Sequence, residues 1–155
     1  DREDFLGGVL EWLLGGLTAT IAEEGSGMDL ERTIDAFVAL YERLGEGRER
    51  GLEEVPLELR GLAQIHLLLD GCVRSPEVRD RFAERIAGAT DAVVRATVRG
   101  QEAGRIRDDV EASAIGTTLV ALVLGLLALP ETGFEFEVEP LRRTLLSLLA
   151  PPVER

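Results

Sequence analysis

The sequence predicts an all-α fold, arranged as a single helical-bundle domain of about six helices over residues 1–155. Three observations carry that prediction. Apolar residues recur at intervals of three and four along most of the chain, the spacing of one helix face. Short polar breaks punctuated by Gly and Pro separate these stretches. One segment alternates like a strand, "TGFEFEVE", but a single strand has no partner, so an extended loop is expected there.

The first helix is expected from about Arg2 to Glu24. Phe5, Leu6, Val9, Leu10, Leu13, Leu17 and Ile21 make its apolar face, and Gly7-Gly8 and Gly15-Gly16 interrupt it. Each interior Gly costs about 1 kcal/mol relative to Ala, so these are weak points. The second spans about Asp29 to Leu44, with Asp29 as N-cap and a stripe of Leu30, Ile34, Phe37, Val38, Tyr41 and Leu44. "GEGRERGLEEV" follows as a charged surface loop. Pro56 opens a third helix that runs to about Val73, with Leu62, Ile65, Leu69 and Cys72 inward and Arg60, Gln64 and Asp70 outward.

The fourth helix has the clearest start: Ser75 as N-cap, Pro76 at the first helical position, Glu77 against the positive helix end. Val78, Phe82, Ile86, Ala89, Val93, Ala96, Gly100 and Ala103 keep its stripe, and Gly104 closes it. The fifth begins near Asp109 and stops at Pro130. The sixth is expected to start at Pro140 and to end before Pro151-Pro152, presenting Leu141, Leu145, Leu148 and Leu149.

The chain carries 29 acidic and 17 basic residues, a net charge of −12 and a pI near 4.6. Such a balance repels a phosphate backbone and an anionic membrane surface, so these residues alone are not expected to bind nucleic acid. Every basic residue is Arg, and Lys and Asn are absent, a pattern that fits GC-rich coding in a high-GC bacterium. The single cysteine, Cys72, excludes an internal disulfide and suits a reducing cytoplasm. "DREDFLGGVLEWLLGG" has neither a basic leader nor a cleavage site, so no signal peptide is expected.

The fifth helix contains "ASAIGTTLVALVLGLLAL", Ala112 to Leu129, without one charged side chain. Its length touches the lower limit of a membrane span, roughly 18 to 20 residues. Its flanks are acidic (Asp108, Asp109, Glu111, Glu131, Glu135), with no aromatic belt and Arg107 on one side only. Spanning helices usually carry the opposite signature, so a buried helix is expected and no membrane partner. On a helical wheel Ala114, Thr118, Ala121, Gly125 and Ala128 share a narrow column of small residues. Ile115, Leu119, Leu122 and Leu126 lie beside it, and Gly116, Val120, Val123 and Leu127 opposite. Two readings are open. The column packs inside the domain against the first or fourth helix, or it meets a second copy. The second is preferred, because a second apolar face needs a second burial partner. Two helices from each of two copies would then form a four-helix bundle, with Ala114, Thr118, Ala121, Leu122, Gly125, Ala128, Leu141, Leu145 and Leu148 at its interface.

The helix order and the stretch "VRDRFAERIAGATDAVVRATVRGQEAGRIRDDVEASAIGTTLVALVLGLLAL" resemble the C-terminal half of TetR/AcrR-family transcriptional regulators. The likeness rests on a long helix that ends in a Gly-rich break and leads into an apolar helix containing Gly125. "DREDFLGGVLEWLL" is similar to the point where the family's DNA-binding domain passes into the connecting helix, residues 1–24 here. The resemblance implies a dimeric cytoplasmic regulator, usually a repressor released by a small molecule, with the last two helices forming the dimer. It also implies a ligand cavity among the preceding helices. Operator DNA would be read by a helix-turn-helix preceding Asp1, so no groove-reading residue belongs to this stretch.

No catalytic constellation, phosphate loop or nucleophile elbow is present, and one His and one Cys are too few for a usual transition-metal site. No enzyme activity, cofactor or metal is therefore expected. His66 and Asp70 stand four apart, the pair reading as a boundary histidine or as a donor to ligand. Trp12, Phe37, Tyr41, His66, Leu69, Phe82, Ile86 and Thr90 are the candidate ligand wall, each also readable as plain core. Such a wall would suit a small apolar or aromatic effector. Against the regulator stands a second reading, a stand-alone helical binding or carrier module with no DNA role.

Overall fold

The computed structural model describes residues 65–152, together with Arg32, Ile34, Asp35, Val38, Ala39, Tyr41 and Glu42. The connecting helix with its Gly pairs, Trp12, Phe37 and residues 56–64 of the expected third helix lie outside the described residues. Those seven early residues are helical. Residues 65–152 hold four helices, α1 (Ile65–Arg74), α2 (Pro76–Glu102), α3 (Ala112–Ala128) and α4 (Val138–Leu149), with a 3₁₀ turn at Leu129–Thr132. There is no strand among the described residues, so the all-α class holds for them, and "TGFEFEVE" is irregular from Gly133 to Glu137.

α1 and α2 are separated by Ser75 alone. Its amide still donates to Gly71 O at 2.9 Å, yet its own backbone is extended, and its hydroxyl accepts from Val78 N at 3.4 Å. Pro76 has no N–H to continue the ladder, so the chain must restart as a new helix. In α1 the buried pair is Ile65 and Leu68; Leu69, expected inward, is 45% exposed. Helix α2 buries Val78, Ala89, Ala92, Val93, Ala96, Thr97 and Gly100. Most of these are small, which lets a neighbouring backbone come close. Thr97 is fully buried and satisfies its hydroxyl on Val93 O at 2.9 Å.

The partner that comes close is α3. Val120, Leu119 and Leu124 pack on Ala92, Val93, Ala96 and Ile86. A Cβ at Gly116 would lie 2.6 Å from Val94 Cγ2 and 3.2 Å from the Val94 backbone nitrogen, so the contact needs glycine. The small residue that matters inside the chain thus lies opposite the Ala114–Gly125 column.

Helix α2 ends in a Schellman motif. Gly104, at φ +66°, donates to Gln101 O, while Arg105 donates to Gly100 O at 2.9 Å. The loop that follows is held from within: Gln101 Nε2 donates to Arg107 O at 2.9 Å and to Val110 O at 2.8 Å. Ile106 is buried with Ile34 and Ile115, and Leu145, Leu146 and Leu149 of α4 cover that cluster. An ion pair between Arg142 and Asp35 ties α4 to the early helical residues. Helix α4 begins at Val138, two residues before the expected start. Pro140 is tolerated there because the first turn's N–H groups have no carbonyl within the helix to reach.

Candidate functional site

The feature that stands out is the outer surface of α3. Ile115, Gly116, Val120, Leu126 and Leu127 are buried, whereas Ser113, Ala114, Thr117, Thr118, Ala121 and Gly125 are exposed. Four of the five column residues therefore share one exposed face; Ala128 and the neighbouring Leu122 are half-buried. A Cβ at Gly125 would meet nothing within 4 Å. Ala112–Thr132 is also the one span among the described residues long and apolar enough to cross a membrane, and 28% of its most apolar window is buried. One chain thus covers one side of this helix and leaves the other bare. Of the expected α4 partners, Leu145 joins the Ile106–Ile115 cluster, Leu141 is half-buried and Leu148 is 58% exposed.

The candidate ligand residues fall into three places. Phe82 and Ile86 pack together on Leu68 and Ala89 between α1 and α2, and the Thr90 hydroxyl, one turn further, is bound to Ile86 O at 2.8 Å. Tyr41 instead faces Phe136, with ring centroids 5.1 Å apart, and Phe136 in turn neighbours Phe134 at 6.4 Å. His66 turns to neither group. Its backbone N–H donates to Glu131 Oε2 at 3.2 Å and its Nδ1 lies 2.7 Å from the same oxygen. The other oxygen, Glu131 Oε1, is buried without a hydrogen-bond partner. Asp70, the partner expected for His66 by spacing, pairs with Arg74 at 2.8 Å. Leu69 points largely to solvent. Sequence reasoning missed Phe136 and Glu131, because neither carries a helical-spacing signal that would link it to Tyr41 or His66.

At the far end of the domain Arg107 gathers several partners. Its Nε and Nη2 each bond Asp109 at 2.7 Å, its Nη1 reaches Leu148 O at 3.2 Å, and its backbone N–H reaches Leu149 O at 2.9 Å. The hydrogen bonds from Arg107 hold the Asp109 carboxyl below its usual range, and Asp109 raises the Arg107 guanidinium in return. Burial pushes the Cys72 thiol up, with the Arg79 charge opposing, so Cys72 stays a thiol rather than a reactive thiolate. No cluster of three or more His, Cys, Asp or Glu side chains able to hold a metal is found among the described residues.

No protein family model, no curated protein and no solved structure matches this chain.

Proposed function

We propose that this chain is the effector-binding and dimerisation domain of a TetR-family transcriptional regulator, a cytoplasmic repressor released by a small apolar or aromatic ligand. In this reading the last two helices of two copies pair as a four-helix bundle, and DNA contact belongs to a helix-turn-helix outside these residues. The observation that carries it is the bare, charge-free face of α3, where Ala114, Thr118, Ala121 and Gly125 are exposed together. Small side chains on an exposed apolar face permit the close helix approach that a tight symmetric contact uses. The remaining parts of the reading, effector and operator, rest on the resemblance of the sequence.

Sedimentation or light scattering at micromolar concentration, without detergent, tests the dimer. The unmodified chain should be dimeric, and Ala121→Arg and Gly125→Leu should make it monomeric. Overpacking a tight contact costs about 1 to 3 kcal/mol, and an unpaired buried charge costs more. A monomeric unmodified chain would overturn the reading. The effector is tested by thermal shift: a ligand at a hundred times its dissociation constant adds about 2.7 kcal/mol. Phe82→Ala should shrink that shift for an effector seated between α1 and α2, and Tyr41→Ala for one seated against Phe136. A broad set of apolar and aromatic metabolites giving no shift would count against an effector site.

A further inference from the structure

We propose that Arg107 is a positioning residue for self-association: by holding the last carbonyls of α4 it fixes the turn that presents Leu148 to a second copy. The inference rests on the dimer reading above. Helix α4 has 12 residues and none of them is fully buried. A helix of that length is marginal when isolated. Its last carbonyls need outside partners, and the chain that follows supplies only one N–H, from Ala150 to Leu146 O at 3.0 Å. Ala150 is extended, at φ −60° and ψ 145°, and Pro151 and Pro152 have no N–H to donate.

Arg107 supplies what that continuation lacks. Its backbone N–H takes Leu149 O and its guanidinium takes Leu148 O, placing a positive charge at the negative end of the helix. The guanidinium is itself fixed, because Asp109 occupies Nε and Nη2 in a two-pronged pair. The Arg107 carbonyl is fixed as well, by Gln101 from the last turn of α2. A frame anchored on the long helix therefore grips the final turn of the short one. Leu148 is among the most exposed large apolar side chains of the described residues, and its own carbonyl is one of the two that the frame holds.

Two measurements on the intact chain test this. Sedimentation velocity over a concentration series compares the unmodified chain with Arg107→Ala and with Asp109→Asn, the latter at an exposed position where folding should survive. Amide exchange at Leu148–Ala150 is followed in the same variants, and again in the monomeric Ala121→Arg background. Arg107→Ala should dissociate at least about tenfold more readily, and Asp109→Asn a few-fold, the scale of one or two charge-assisted hydrogen bonds. The α4 end should exchange faster in both, including in the monomeric background, while α2 keeps its protection. A dimeric unmodified chain whose variants dimerise equally tightly would overturn the inference alone. So would weaker dimers with unchanged exchange at the α4 end. A monomeric unmodified chain would overturn the dimer reading and the inference together.

Discussion

Two glycines of α3 sit in opposite surroundings. At Gly116 a methyl group would meet Val94 Cγ2 at 2.6 Å with the Val94 backbone nitrogen behind it at 3.2 Å, and that backbone cannot rotate away as a side-chain tip would. Gly116→Ala should therefore lower stability by about 1 to 3 kcal/mol. At Gly125 the same change meets open space. There it should raise stability by about 0.5 to 1 kcal/mol, the usual gain from replacing an interior helical glycine. Urea unfolding of both variants in the monomeric Ala121→Arg background checks the signs, which must differ. Asp109 gives a third test. Its folded value lies below the ordinary 3.8, so its contribution is fully present above that value and fades as the pH falls through the lower folded one. The unmodified chain should lose this part of its stability below about pH 4, and Asp109→Asn should lack it at every pH. The sequence identified Gly104 as a helix end and Gly125 as part of a small column, because turn chemistry and local spacing are visible in one dimension. It did not separate Gly116 from its neighbours, since a close approach depends on what faces the glycine from another helix.

Among the elements, the junction between α1 and α2 was the most legible. Ser75, Pro76 and Glu77 are local signals, and the cap forms as they require. Ser75→Ala should cost about 1 kcal/mol in thermal or urea unfolding. The phase of α1 was less legible. "HLLLD" offers three leucines in a row, and such a run does not say which one turns inward; packing on Ala89 and Phe82 selects Leu68. Helix α3 poses the same difficulty along its whole length, because a helix apolar on every side has no periodicity to read. Long-range pairs were illegible for a different reason. His66 and Glu131 are 65 positions apart, and Arg107 and Leu148 are 41 apart, so neither spacing nor composition connects them. The expected start of α4 at Pro140 failed by two residues because proline is permitted anywhere in a first turn, and its presence does not mark which position it holds.

At the scale of the whole molecule, the uncharged face of α3 sets how two copies would respond to their solvent. Each chain carries a net charge of −12, so two approaching copies repel at long range whatever their contact surfaces do. The contact itself contributes no ion pairs from α3, since Ala112–Leu129 has no charged side chain to form one. Added salt then has long-range repulsion to screen and no attraction across this helix to weaken; at 1 M the screening length is about 3 Å, against about 10 Å at 0.1 M. In the proposed dimer, assembly should accordingly tighten as ionic strength rises, and the dissociation constant measured by sedimentation should fall between 0.05 and about 0.5 M sodium chloride. A contact held by surface ion pairs would give the opposite slope. For the proposed dimer, dilution into low salt would favour separation as surely as dilution in protein.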